Sequence, residues 1–488
     1  MKHCYQTLLT VCVFVSYIAT SNAQNTITDV LNNTVTPSTL TIGTVTNVSN
    51  ASELIDAINL ANSGGGNRTI LIANGTYQIA STLWYPYITA SNVVFRSASG
   101  NRDSVIICGA GMADVSPDVE CGFYIVGDNV TIADLTVKNV GNHGIAADGT
   151  SQNVTIYNVR FQDTYEQMFK GTNSGTGSVN GIIQCCLFEY TAGIGPQYYI
   201  GGIDIHEGSG WVVQDNVFRY IMSPTAVLAE HAIHFWDNTS NNTVERNLII
   251  NCDRGIGFGL GTSGNTGGII RNNMIYNNGV SSNTDVGIGL ETSPGTRVYN
   301  NTVYIVGYPN PIEYRFAATS GVDITNNITN GNIAARDGAT GTLTTNVTNA
   351  QSSWFIDLAN GNLRLNGIVP SVSDAGTDLS TYVSDDIDKT SRPMGTAFDI
   401  GAFENSSTGT PENGKSGMEI NIYPNPCSDL VFVEGETPSS IIVTDFFGQK
   451  VLEFEKVSTF DIRSLTPGVY FVQLSFNDNI KSVRMVKM

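Results

Sequence analysis

VQDN (residues 213–216), VERN (244–247), IRNN (270–273), VYNN (298–301) and ITNN (324–327) are five copies of one pattern: an apolar residue, two variable residues, then asparagine. The asparagines recur at intervals of 31, 26, 28 and 26 residues. Upstream, Cys186 in IIQCCLF takes the equivalent place, and Asn139 and Asn158 hold related positions. Each repeat carries two or three short apolar runs of period two, separated by Gly, Asn, Ser or Thr. One repeat is therefore too small to bury its own inner face and must stack on its neighbours. Coils of this length with an inward asparagine at one corner predict an all-β fold, a right-handed parallel β-helix. Its strands pair in parallel and its stacked amides hydrogen-bond up a ladder. The Leu framework that a leucine-rich repeat requires is missing.

Composition points the same way. The 488 residues include 50 glycines and 15 prolines, which suits many short strands joined by tight turns. Hydrophobic residues make up 41% and charged residues 14%, enough apolar material for a large core. With 24 Lys+Arg against 43 Asp+Glu, the net charge is −19, which argues against a nucleic-acid binder.

Residues 1–23 have a short basic start, an apolar stretch from Leu8 to Ala19, and small residues at Ser21 and Ala23. They read as a secretory signal peptide cleaved after Ala23. The apolar run falls short of the roughly 20 residues of a membrane span, so no transmembrane anchor is expected. The expected location is secreted or cell-surface, by export through the periplasm, and the expected state is a monomer. Cys108 and Cys121 could close a small loop in an oxidising compartment, or stay as buried thiols like the other cysteines. Within the β-helix domain, residues 24–404, SELIDAINLAN (52–62) places Leu54, Ile55, Ile58 and Leu60 or Ala61 on one helical stripe. A serine precedes the stripe as N-cap, and the helix caps the first coil.

Residues 405–418, NSSTGTPENGKSGM, are a polar linker. Residues 419–488 alternate as short strands and predict a small C-terminal β-sandwich. This segment opens with IYPNP (422–426), continues with VTDFFGQKV and IRSLTPGVYFVQL, and ends on a basic tail at Lys481, Arg484 and Lys487. It resembles the C-terminal sorting domain of type IX secretion substrates, which implies a Bacteroidota-like host and the type IX secretion machinery as partner. A carbohydrate-binding sandwich is the alternative. DIDKTSRPMGTAFDIGAFE (386–404) resembles a closing segment of secreted bacterial β-helix proteins.

Alternation assigns faces on the strand that carries polar residues. In GGIDIHEG, Ile203 and Ile205 face inward, so Asp204 and His206 face outward; in HAIHFWD, Ile233 and Phe235 face inward, so His234 and Trp236 face outward. EQMFKG buries Phe169 and points Lys170 out, and later coils add Glu291 and Arg315. Lys170, His206, His234, Glu291 and Arg315 are thus expected along one side of the solenoid, on rungs about 4.8 Å apart. Three of five histidines, His206, His231 and His234, fall in two adjacent coils with Asp204, Glu207, Glu230 and Arg254, a concentration expected of a functional site. Glycines at 255, 257, 259, 261, 287 and 289 suggest a floor that a ligand approaches closely. With Trp236 and the Tyr198–Tyr199 loop beside it, the groove suits a sugar chain bearing uronate or sulfate.

Secreted coils with an exposed His/Lys/Arg/Tyr groove resemble the β-helical polysaccharide lyases of bacteria. That resemblance implies β-elimination on a uronic-acid polysaccharide: a cation, Arg or bound Ca²⁺, neutralises the carboxylate, a base removes the C5 proton, and an acid protonates the departing O4. The candidate base is His234 or His206, with Lys170 as alternative. Arg254 or Arg315 is the carboxylate partner and Tyr199 the proton donor. His231, Trp236, Tyr198, Glu291 and Arg315 are candidate substrate contacts. No cofactor is demanded. If Ca²⁺ binds, Asp204, Glu207 and Glu230 are its candidate ligands, or they orient the histidines instead. Two other functions fit: a β-helical glycoside hydrolase pairing Asp204 with Glu207, Glu230 or Glu291, and a non-catalytic glycan-binding surface protein.

Overall fold

The computed structural model describes residues 27–28, 34–79, 86–112 and 121–405. Of the C-terminal part it describes 422–425, 427–433, 437–444, 450–476 and 479–487. The proposed leader and linker residues 406–418 lie outside the described residues.

Two compact units divide near residue 408. The first is a parallel β-helix whose rungs feed three sheets of twelve, ten and ten strands. The first sheet runs from Thr44–Val48 to Gly341–Thr344, the second from Gly75–Gln78 to Ile328–Thr329, and the third from Tyr87–Ile88 to Ile333–Arg336. Inward residues of all three sheets form one buried hydrophobic core. Phe161, Phe188 and Phe218, one per rung, stack at 4.6 and 4.5 Å between ring centres, because parallel in-register pairing puts equivalent side chains above one another.

The asparagine repeat forms the corner between the first and second sheets. The backbone N–H of Asn247 donates to Asn273 Oδ1 (3.0 Å), that of Asn273 to Asn301 Oδ1 (3.0 Å), and that of Asn301 to Asn327 Oδ1 (2.9 Å). The side-chain amides form a parallel chain, so turn N–H groups that no strand satisfies are all paired inside the protein. Cys186 continues the column, its N–H donating to Asn216 Oδ1 at 2.9 Å. Asn158 does not: it sits one residue earlier, at the left-handed position (φ 52°), and its amide donates to Asp134 Oδ1. Asn139 lies at the end of a second-sheet strand, away from this corner.

A helix, α1 (Ala51–Ser63), covers the first coil with Leu54, Ala57, Ile58 and Ala61. Its N-cap is Asn50, which accepts from Glu53 N–H at 3.0 Å, while Glu53 accepts from Ser49 N–H. This reciprocal cap starts the helix one residue before the expected stretch. Leu60, expected as a possible stripe residue, is exposed. The 386–404 segment lies along the outer face of the second sheet rather than over the helix end. Ile387, Ile400 and Ala402 pack on Leu248, Ile250 and Met274, and the buried Arg392 pairs with Glu404. Cys108 and Cys121 are buried thiols, not halves of a disulfide.

The second unit holds an antiparallel sheet of three strands and one of four, with Val431, Ile441, Val443, Val472, Leu474 and Met485 in one core, a small sandwich.

Candidate functional site

Seven successive strands of the third sheet build the site: β1 (Ile145–Ala147), β2 (Phe169–Gly171), β3 (Ile203–His206), β4 (His231–Trp236), β5 (Arg254–Phe258), β6 (Ile288–Glu291) and β7 (Ile312–Arg315). Their register sorts the outward residues into rows. One row runs Ala146, Lys170, Asp204, His234, Gly257, Gly289, Glu313. The next holds His206 and Trp236, then Glu291, Arg315 and Arg336. A third, at the start of the strands, pairs His231 with Arg254.

Asp204 is the hub. One carboxylate oxygen accepts from Lys170 Nζ, and the other accepts from Trp236 Nε1 at 2.7 Å. Lys170 Nζ also lies 2.8 Å from His206 Nε2, so one amine contacts a carboxylate and an imidazole at once. Asp204 is 2% exposed, and burial pushes its carboxyl upward. The contact with His206 and the charge of Lys170 outweigh that, holding it well below the ordinary carboxylate range. Asp204 therefore stays ionised.

His234 points out of the lumen, as alternation requires, but is only 1% exposed. Trp236 stacks on it, with planes 8° apart and ring centres 5.5 Å apart, and His231 lies on it at 4.5 Å. Burial lowers its pKa despite Asp204 and Glu230 nearby. A group so covered cannot reach a polymer, which removes His234 as the direct base. Trp236 has one face on His234 and its N–H on Asp204, so it acts as a lid and not as an open sugar platform.

The glycines also differ from expectation. A Cβ on Gly257 would come within 2.7 Å of His231 Nε2, so the close approach comes from the protein's own imidazole. At Gly255 a Cβ would meet the Gly287 carbonyl at 2.1 Å.

Glu230 lies 3.7 Å from His234 Nδ1 and 3.3 Å from Arg254 Nη2, and Arg254 Nε donates to Ala229 O at 2.9 Å. The expected oxygen set of Asp204, Glu207 and Glu230 is not brought together. Among the described residues the cluster of three ligand-type side chains is Glu230, His231 and His234, and Asp204 is already held by Lys170 and Trp236. Glu207 takes a left-handed turn (φ 54°) just past β3, where the chain leaves the sheet.

Tyr198 and Tyr199 are exposed on the neighbouring loop. Partial burial raises the pKa of the Tyr199 hydroxyl, with Lys170 lowering it and Asp204 and Glu166 raising it further. Beyond β5 a small cleft of about 70 Å³ is lined by His231, Arg254, Asp285, Tyr308, Glu313, Arg315 and others. There Glu291 accepts from Gly261 N–H at 2.5 Å and faces Arg315 at 3.6 Å, and Tyr308 donates to Glu313 at 2.9 Å.

Sequence reasoning missed His143, Gln167, Asp285, Tyr308 and Arg336. His143 and Gln167 stand two residues ahead of Ile145 and Phe169, the relation His231 bears to Ile233, so aligning the pre-strand corner across rungs finds them. His143 is pushed down to about 3 by burial and the Lys170 charge. Arg336 follows from its register with Arg315.

A family profile described as right handed beta helix region matches residues 113–303, and one described as secretion system C-terminal sorting domain matches residues 421–488. No curated protein sequence matches the chain. Among solved structures, the chain is similar to the pectate lyase Pel9A, with a TM-score of 0.50 and 17% identity over 71% of this chain and 90% of that one. It is also similar to the A-module of the Azotobacter vinelandii mannuronan C-5 epimerase AlgE4 (TM-score 0.37, 11% identity, 62% and 95% covered). A third is PfbA, a surface adhesin of Streptococcus pneumoniae (TM-score 0.35, 14% identity, 62% and 88% covered). At these identities the likeness is one of fold. The sorting domain marks the chain for export to the cell surface or medium, and among the described residues no helix is long and apolar enough to cross a membrane. The chain is a right-handed parallel β-helix protein carrying a secretion-system C-terminal sorting domain.

Proposed function

We propose that the protein is a secreted polysaccharide lyase that cleaves a uronic-acid-containing polymer by β-elimination, with Lys170 as the base. One observation carries this reading: an amine on the outward face of the sheet, 8% exposed against 1% for His234, fixed by Asp204 and within 2.8 Å of an imidazole that can take its proton. Lys170 passes a proton to His206 Nε2, and the neutral amine abstracts the C5 proton of the uronate. Asp204 orients both groups and offsets the positive charge of the pair. Tyr199, whose phenol is neutral near neutral pH, protonates the departing O4. Arg254 and Arg315, with Arg336, bind uronate carboxylates along the cleft, and Tyr198 and His231 contact the sugar chain.

The hydrolase reading needs two carboxylates that meet the substrate, and Asp204 is buried and already bound on both oxygens. The non-catalytic reading gives no reason for an amine and an imidazole to share a proton position. The test is incubation with a panel of uronic-acid polymers, with and without chelator. A lyase releases unsaturated, ultraviolet-absorbing products. New reducing ends without absorbance indicate a hydrolase, and binding without shortening indicates an adhesin.

A further inference from the structure

Glu230, His231 and His234 each present one ligand-type atom, and these three atoms lie within 4.8 Å of one another. Backbone geometry brings them together: His231 opens β4, His234 projects outward three residues later, and Glu230 is the residue before the strand. Both imidazoles are buried, and the Nδ1 atom of each has no hydrogen-bond partner.

The proton inventory at His234 is unbalanced. Its Nε2 lies 3.3 Å from the Gly259 carbonyl, which can only accept, so Nε2 carries the proton. Neutral His234 then has a lone pair at Nδ1. That lone pair faces Asp204 Oδ1 at 3.5 Å and Glu230 Oε2 at 3.7 Å, two more acceptors. Three acceptors converging in a buried place repel unless a cation lies among them. Lys170 and Arg254 are the neighbouring cations. Lys170 is engaged with Asp204 and His206, and Arg254 with Ala229 and Glu230, and neither donates to Nδ1 of His231 or His234. His231 likewise presents a buried Nδ1 with no partner in the protein. The bond from His234 Nε2 to a backbone carbonyl is the arrangement that fixes the tautomer of a metal-ligating histidine.

We propose that Glu230, His231 and His234 bind one divalent transition-metal ion of the zinc class. Two imidazoles and a carboxylate are a borderline donor set with a fourth position left for water. Ca²⁺ takes about six to eight oxygens and is not served by this set. The site replaces the all-oxygen ligand set expected from the sequence. It does not depend on which reaction the groove performs.

The test uses the full chain without a polyhistidine tag, stripped with a chelator and dialysed against Zn²⁺, Co²⁺ or Ca²⁺. Zn²⁺ is expected to bind at about one ion per chain, Co²⁺ to give the intense visible bands of a four- or five-coordinate ion, and Ca²⁺ to displace neither. Glu230→Gln, at a partly exposed side chain, is expected to weaken Zn²⁺ binding about 100-fold with the melting curve of the stripped protein preserved. His231→Gln is expected to abolish the Co²⁺ bands. Failure of a correctly folded wild type to bind Zn²⁺ or Co²⁺ would overturn the assignment. So would unchanged binding in both variants, or nitrogen chemical shifts showing His234 protonated on both ring atoms.

Discussion

Lys170 Nζ and His206 Nε2 are 2.8 Å apart on adjacent rungs, with a carboxylate oxygen of Asp204 on the same amine. Lys170 belongs to one outward row and His206 to the next, so the contact runs diagonally across the sheet. Lys170 and Asp204 are paired by register, and the side chains of the pair lean toward the row of His206 and Trp236.

Arg315 and Arg336 stand on consecutive rungs at the cleft and are 30% and 41% exposed. Replacing Arg315 with Gln removes a carboxylate contact, and its protein partners, Glu291 and Asp337, are themselves solvent-accessible. Arg336 is kept because its partner Glu313 is buried. KM for a uronate polymer is expected to rise about tenfold with kcat nearly unchanged, and the melting midpoint to move little, since exposed ion pairs contribute under about 1 kcal/mol. Steady-state kinetics and a thermal melt check this.

Gly257 leaves space for His231 in the row that otherwise carries Lys170, Asp204 and His234. Gly257→Ala places a methyl 2.7 Å from His231 Nε2 and forces that ring off His234. The expected cost is about 1–3 kcal/mol in a denaturant titration, with a loss of turnover larger than the loss of folded protein.

Asn273 accepts from Asn247 and donates to Val244 O and Asn301 Oδ1. Asn273→Ala strands several buried polar groups at the corner, and equilibrium unfolding is expected to show a loss of about 2–4 kcal/mol.

His143 titrates near 3 in the folded protein, against an ordinary 6.5, because of burial and the nearby Lys170 charge. The unfolded chain binds this proton first as pH falls. The stabilising contribution is complete above about 6.5 and is lost progressively toward 3. His143→Gln is expected to flatten the acid limb of a stability-versus-pH curve in that window, measured by urea midpoints.

The solenoid was legible because its decisive signal is local and repeated: an asparagine at one corner, with period-two apolar runs between. Alternation also placed Lys170, Asp204, His206 and His234 outside the lumen. Facing outward is a property of one strand, however, whereas exposure depends on what neighbouring rows do. His234 is covered because Trp236 and His231 fold over it, and no spacing rule reports that. His143 and Gln167 escaped because they precede their strands, where the chain is still turning and alternation does not assign a face. The glycine floor was misread for a related reason: the groups that approach the backbone belong to the neighbouring strands, the His231 imidazole at Gly257 and the Gly287 carbonyl at Gly255. Asn158 was misplaced because the ladder position and the left-handed position before it both hold asparagine in several repeats, as at Asn272 and Asn273.

The central claim is that Lys170 supplies the base of an elimination reaction. Lys170→Arg keeps the positive charge beside Asp204 but cannot shed a proton near neutral pH. The decisive measurement is the initial rate of ultraviolet absorbance on a uronate polymer cleaved by the wild type, compared with this variant at equal folded concentration. A fall of about 10²–10⁴-fold with the melting midpoint preserved is predicted. Absorbing products released by the variant at the wild-type rate, or chain shortening by the wild type without any absorbance, would contradict it.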